Sequence, residues 1–321
     1  MRTIIIKFGG SSLADPGRIR RAAAMLLAER RRGLRPVAVV SAPADSTDDL
    51  LKLAALAGGA TVSPRESDAL LSAGEQISAA LVAMALQAEG AKAVSLSGAQ
   101  AGIRTDAAFS CASVLSVNPR RLRAELAAGR IPVVAGFQGV SPAGDTTTLG
   151  RGGSDLSAVV LARALKAARC EFRTDVNGIY TAHPAIVPGA RKIRELSHAE
   201  VIALAELGTE VRQLRAVKYA ARTGMPLHLR SSFHDEPGTL VTRDGGKPGV
   251  SCLSLKKDGP DALVSLVGRR LGPAHLRRAL AAGRQHGAAR AASSAVSITL
   301  KAPAAAGEAL LKALHAGFFR P

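Results

Sequence analysis

The chain has 321 residues, 47% of them hydrophobic and 3% aromatic, with no tryptophan and a formal net charge of +18. That apolar content excludes a disordered chain, and the length allows one large domain plus a small one. No uninterrupted apolar run approaches the ~20 residues that cross a bilayer. The N-terminus enters a strand almost at once, so no signal peptide is expected. Three widely spaced cysteines, Cys111, Cys170 and Cys252, lack metal-ligand spacing and read as packing thiols of a reducing cytoplasm. Basic residues cluster at Arg18/Arg20/Arg21, Arg30/Arg31/Arg32, Arg120/Arg121/Arg123 and Arg277/Arg278. A polyanion partner is one reading and solvated helix faces the other. With no nucleic-acid motif, aromatic platform or basic tail, the second is preferred, and neither a specific nucleic acid nor a membrane is an expected partner.

In chain order, strand-like apolar runs at 3–8, 36–41, 93–97 and 131–137 alternate with helical patterns at 18–32, 66–89, 119–128 and 155–168. This alternation predicts a largely parallel sheet covered by helices on both faces. In the run 66–89, Ala69, Leu70, Ala73, Ile77, Leu81 and Met84 fall on one side, the expected packed face. Ser197 to Glu200 reads as a capping box, a further helix follows Gly208 and ends near Gly224, and a strand spans 226–230. A linker rich in Gly, Pro and Lys at 244–249 precedes a tail with strands at 262–267 and 295–301 and helices at 273–282 and 305–315.

Two glycine-rich segments carry the chemistry. Lys7-Phe8-Gly9-Gly10-Ser11-Ser12 follows the first strand, and Thr148-Leu149-Gly150-Arg151-Gly152-Gly153-Ser154-Asp155 opens a helix. Glycines let backbone N–H groups approach a phosphate, and a helix N-terminus adds about half a positive charge. Two such elements, with a lysine and an arginine, suit phosphoryl transfer between two bound ligands. Neither has the P-loop spacing.

These segments resemble the aspartokinases of the amino-acid kinase superfamily, and so do others in the same order. Val40-Ser41-Ala42 with Ser46-Thr47-Asp48-Asp49-Leu50 resembles the family's second loop. Leu71-Ser72-Ala73-Gly74-Glu75-Gln76 resembles its substrate-side glutamate segment, Gly136-Phe137-Gln138-Gly139 its substrate loop, and Thr174-Asp175-Val176-Asn177-Gly178-Ile179-Tyr180-Thr181 its nucleotide-side hairpin. The resemblance implies an α/β fold: a three-layer αβα sandwich on a mostly parallel sheet at 1–243, and a single, degenerate ACT-like α+β domain at 250–321. It implies transfer of the γ-phosphoryl of ATP, with Mg2+, to the β-carboxylate of L-aspartate in a cytoplasmic homodimer. Lys7 would stand beside the transferring group and Asp155 would orient it. Ser41, Thr47, Glu75, Phe137 and Arg151 would form the substrate site, Glu75 on the ammonium and Arg151 on the α-carboxylate. Gly9, Gly10, Ser11, Thr174, Asp175 and Tyr180 would meet the nucleotide. No metal ligand is assigned among the side chains.

The chain departs from that pattern in the second loop, where Pro43-Ala44 replaces the more usual Met-Gly, and much more on the nucleotide side. The family's Thr-Ala-Asp-Pro-Arg is Thr181-Ala182-His183-Pro184-Ala185 here, and its Gly-Ala-Lys-Val is Gly208-Thr209-Glu210-Val211. Two unit charges about 4 Å apart at an effective dielectric of ~20 interact by roughly 4 kcal/mol, so exchanging cations for Ala185 and Glu210 is a large electrostatic change. The alternative reading is therefore a catalytically impaired or repurposed homologue that binds an amino acid as a regulatory subunit or serves specialised metabolism.

Overall fold

In the computed structural model, residues 1–209 and 212–319 are described, apart from the side chain at position 60. In chain order the elements are β1 (Thr3–Phe8), α1 (Pro16–Arg31), β2 (Arg35–Val40), α2 (Ser46–Gly58), α3 (Pro64–Ala88), β3 (Ala93–Leu96), β4 (Ile103–Thr105) and β5 (Val114–Val117). Next come α4 (Arg120–Ala127), β6 (Ile131–Ala135), β7 (Gln138–Val140), β8 (Thr146–Thr148), α5 (Gly153–Ala164), β9 (Cys170–Thr174), β10 (Glu195–Ser197), α6 (His198–Glu206), α7 (Leu214–Thr223) and β11 (Leu227–Ser231). The chain continues through β12 (Thr239–Thr242), β13 (Gly249–Asp258), β14 (Asp261–Arg269), α8 (Pro273–Gly283), β15 (Ala289–Ser293), β16 (Ser297–Pro303) and α9 (Gly307–Phe318). They form two compact units, one of Met1–Val176 with Met225–Glu236, the other of Asn177–Gly224 with Pro237–Pro321.

The first unit is built on strands in the order β11-β9-β1-β2-β6-β3, all paired in parallel. Alternate residues of β1 face opposite layers. Ile4, Ile6 and Phe8 join the core under α1 and α3, with Leu26, Val82 and Leu86. Of the other residues of β1, Ile5 and Lys7 face the layer of α5, a helix buried through most of its length. Strand order runs outward from β1 in both directions, so the carboxyl end of β1 lies where the winding reverses, the usual crevice of open α/β sheets. A small second sheet, β5-β4-β7-β8, covers residues between 103 and 148.

Local signals set the helix ends. Asp15 caps α1 by accepting the Arg18 N–H at 2.8 Å, with Pro16 at the first helical position; Ser63 and Pro64 do the same for α3. Both helices therefore begin two residues before the apolar pattern does. The capping box at Ser197 and Glu200 is present, and α7 ends at Gly224 in the left-handed region.

Three expectations need correction. The stripe expected to pack in α3 is its open side: Ile77, Leu81 and Met84 are 55%, 39% and 61% exposed. The buried side carries Asp68, Ser72, Glu75, Ser78, Ala79, Val82 and Leu86, because its first half meets polar groups such as Thr148 of β8 and the Ser110 N–H. Ser46 to Leu50, read as part of a loop, forms the first turn of α2. Of the three cysteines, Cys170 and Cys252 are buried but Cys111 is exposed. Among the described residues α3 is the helix long and apolar enough to span a membrane by length and composition; its buried Asp68 and Glu75 belong instead to the packed unit.

In the second unit, β13-β14-β16-β15 form an antiparallel sheet. In its core, Val264, Leu266, Leu300, Leu310, Leu311 and Leu314 pack with Ala182 and Val187 of the segment after β9. Strands β13 and β15 add to the expected strand and helix pattern; β15 is exposed along its length and so lacks the apolar alternation that marks a strand. Separately, β10 pairs in parallel with β12.

Candidate active site

At the carboxyl end of β1, Lys7 is 7% exposed, and its Nζ lies 2.8 Å from Asp155 Oδ1. Asp155 sits in the first turn of α5, where the helix dipole favours a negative charge. The cap of that helix is Gly152, and Gly150 and Gly152 both have positive φ, 75° and 70°. Arg151, between them, is exposed on the turn. The opening sequence Gly150 to Gly153 is thus a tight turn that delivers an aspartate to the lysine below and an arginine to the outside.

The other glycine segment continues from β1. The Gly9 N–H donates to Arg173 O at 3.0 Å, and Gly10 starts a short 3-10 turn, Gly10–Leu13. A Cβ on Gly10 would lie 2.9 Å from Ala42 O, so the segment runs too close to the loop after β2 for any side chain. Ser11 is half-buried; its carbonyl accepts Arg18 Nη1 at 2.6 Å. Ser12, buried, exchanges a hydrogen bond with Ser232 at 2.7 Å.

Glu75 lies on the inner side of α3 and is 5% exposed. Burial pushes its carboxyl up to about 7, against the opposing pull of the Ala42 N–H and of Lys7. Its Oε2 is buried without a hydrogen-bond partner. A carboxylate in that condition lacks a cation or donor. Ser41, half-buried, donates its N–H to Phe8 O at 3.2 Å, and Thr47 is half-buried in the first turn of α2.

Phe137, after β6, has a positive φ of 66°. That conformation is held by its N–H to Ser157 Oγ at 3.0 Å and by its carbonyl, which accepts the Leu149 N–H at 2.8 Å. A Cβ on the preceding Gly136 would fall 2.8 Å from Ser154 Cβ and 2.9 Å from Val40 O. The substrate-loop residues are thereby pinned to the start of α5.

Two positioning residues escaped the sequence reading. Asp68, fully buried in α3, accepts the Thr148 N–H and hydroxyl, each at 2.7 Å, and the Ser110 N–H. It holds the residue from which the Gly150 turn departs. Gln138 Nε2 donates to Ser72 O at 2.9 Å, tying the loop after β6 to α3. The signal was available: Asp68, Ser72, Glu75 and Ser78 share helical spacing, but a polar stripe reads as a solvated face.

Thr174 ends β9 and is buried, with its hydroxyl accepting the Val176 N–H at 3.2 Å; Asp175 is exposed. In the second unit Tyr180 is half-buried, bridges Lys192, and has the Lys192 ammonium 5.8 Å from its ring centre. His183 and Ala185 are exposed. Glu210 lies outside the described residues. Lys7, Asp155, Glu75 and Phe137 thus belong to one packed arrangement, whereas Arg151 and Asp175 stand in solvent.

Comparison with known proteins matches the amino acid kinase family model to residues 2–231. The aspartokinase of Mycolicibacterium smegmatis is 47% identical over 272 residues, 84% of this chain and 64% of that protein. The chain therefore spans less than two thirds of the length of that curated relative. The aspartate kinase structure from Synechocystis superposes with a TM-score of 0.68 at 30% identity, covering 98% of this chain and 69% of that one. Escherichia coli aspartokinase III, solved in complex with aspartate and ADP, gives 0.84 at 23% identity over 99% of this chain and 100% of that one, a likeness of fold. With its parallel sheet, its paired glycine turns and a family match covering most of its length, this chain belongs to the amino acid kinase family.

Proposed function

We propose that the chain is an aspartokinase, transferring the γ-phosphoryl of ATP to the β-carboxylate of L-aspartate. The observation that carries this reading is Glu75: a buried carboxylate with an unpartnered oxygen, within reach of the Lys7 charge. Lys7 and Asp155 neutralise each other, so ionised Glu75 leaves the buried group one negative charge in excess. An amino-acid ammonium supplies the missing cation and its hydrogen bonds. Arg151, a planar donor, suits the α-carboxylate. Kinship with aspartokinases supports the same acceptor.

The side-chain carboxylate is ionised near neutral pH, so no general base is required. One of its oxygens forms a bond to the γ-phosphorus as the bond to the β,γ-bridging oxygen breaks, and ADP leaves with that electron pair. Catalysis then rests on placement and on neutralising the phosphoryl oxygens. Lys7 supplies the cation and Asp155 keeps its ammonium aimed, while Gly9, Gly10 and Ser11 offer close backbone and hydroxyl approach to phosphate. Thr174, Asp175 and Tyr180 are assigned to the nucleoside. Mg2+ bound to ATP takes most of its ligands from phosphate and water and needs few from protein.

The same proposal places the enzyme in a reducing cytoplasm, supported by its free thiols, as a homodimer through the ACT-like sheet at 250–321, whose strand β15 offers an exposed edge. The deciding experiment incubates the protein with Mg-ATP and aspartate and traps acyl phosphate with hydroxylamine. Hydroxamate from the parent, reduced about a thousandfold in Lys7→Ala, supports the proposal. A folded parent that binds aspartate but forms no hydroxamate refutes it.

A further inference from the structure

We propose that His315, on the C-terminal helix α9, is a positioning residue for the nucleotide-side loop and acts through the hydroxyl of Thr181. The inference rests on the reading above that the loop carrying Tyr180 meets ATP. His315 and Thr181 are 6% and 8% exposed, and their Nε2 and Oγ1 atoms lie 2.9 Å apart although 134 residues separate them in sequence. The imidazole also stacks on Phe319, ring centres 4.8 Å apart.

Thr181 is tied at four points. Its N–H donates to Arg191 O at 2.9 Å, its carbonyl accepts the Leu253 N–H at 2.8 Å, and its Oγ1 accepts the Arg191 N–H at 2.9 Å. With that acceptor site taken, the hydroxyl proton is free to point at a ring nitrogen, and His315 is the side chain placed to receive it. Burial, helped by the neighbouring Arg191 charge, lowers the His315 pKa and favours the neutral ring this requires.

The consequence falls on Tyr180. On its other side, the Ile179 N–H donates to Thr239 Oγ1 at 2.8 Å, and that hydroxyl donates to Ile193 O at 2.6 Å. Tyr180 therefore sits between two anchored neighbours. One anchor comes from β12; the other comes from α9. The inner face of α9, Leu310, Leu311 and Leu314, packs in the same core as Ala182 and Val187. A shift of α9 must move the loop or break a buried hydrogen bond, so a residue on the C-terminal helix sets how Tyr180 is presented.

The test uses the full chain, with kinetics for both substrates and calorimetric titration of Mg-ATP. His315→Phe keeps an aromatic ring but loses the acceptor, and Thr181→Val removes the hydroxyl at constant shape. Each is expected to raise KM and Kd for ATP about tenfold, the scale of one lost buried hydrogen bond, with KM for aspartate unchanged. The double variant should be no worse than Thr181→Val alone, since that change already removes the contact to His315 along with the bond from the Arg191 N–H. His315→Gln, which can replace Nε2, and Thr181→Ser should recover most of the affinity. Folded variants with unchanged ATP affinity, equal losses for both substrates, or additive losses overturn the inference. A parent that binds Mg-ATP without phosphorylating aspartate overturns only the acceptor assignment, and the ATP titrations still decide the role of His315. A parent that binds no Mg-ATP overturns both.

Discussion

The proposed acceptor side and the proposed nucleotide-side loop are built in opposite ways. Lys7, Asp155 and Phe137 stand at strand and helix ends within the first unit and Glu75 midway along α3, all buried or clamped, with backbone in contact with backbone at Gly10 and Gly136. The loop after β9 instead gives up its exposed positions, His183 and Ala185, to solvent and is fastened through Thr181 and Ala182 to the second unit's core. Residues fixed by packing on several sides tolerate little change, whereas residues hung on an anchored loop can drift. Two of the departures from the family resemblance, His183 and Ala185, fall on the second kind of construction.

That contrast can be broken from either side. The largest effect is expected from Glu75→Gln, which removes the charge and keeps the shape. Affinity for aspartate should fall about a hundredfold, the scale of a buried charge-assisted hydrogen bond, while affinity for ATP stays within a few-fold. Isothermal titration with each ligand reads this, and an equal loss of both would erase the distinction. Smaller, and of opposite sign, is Glu210→Lys combined with Ala185→Arg: restoring two cations should tighten ATP by about tenfold at low salt and less at high salt. An unchanged KM for ATP would mean those positions do not face phosphate.

The third effect is a pH dependence confined to the acceptor side. Glu75 has its carboxyl raised by burial to about 7, so in the free protein it is largely protonated below that pH. The ammonium requires the ionised form. Aspartate affinity should therefore fall up to about tenfold per unit as pH drops below 7, with proton release on binding. The stability of the free protein runs the other way. A carboxyl with a raised folded pKa binds its proton more tightly than the unfolded chain does, so its contribution declines as pH rises from about 4.5 to 7. Calorimetry in buffers of different ionisation heat, and melting curves across that range, measure the two trends.

Much of the first unit was legible because its signals are local. β1 is an apolar run ended by Lys7 and glycines, and the turns before α5 and after β1 announce themselves by composition. Longer-range causes were not legible. The inner side of α3 is polar in its first half because it meets backbone donors there, as the bonds Asp68 accepts from Thr148 in β8 and from Ser110 show; hydrophobic patterning therefore chose the wrong face. Strands β4, β7 and β8 are three residues each, too short to show a period, and β15 has no buried side at all. The contact between His315 and Thr181 joins segments 134 residues apart, a distance over which a single sequence carries no trace.

The closeness of Gly10 to Ala42 O, and of Gly136 to Ser154 and Val40, also has a genetic meaning. Every missense change one base away from a glycine codon specifies a bulkier side chain, so neither position has a neutral neighbour in codon space. A saturation library selected for function should return both as invariant. Gly189, where a Cβ would meet open space, should fill with substitutions. The proposed acceptor side thus depends on the absence of atoms as much as on any residue present.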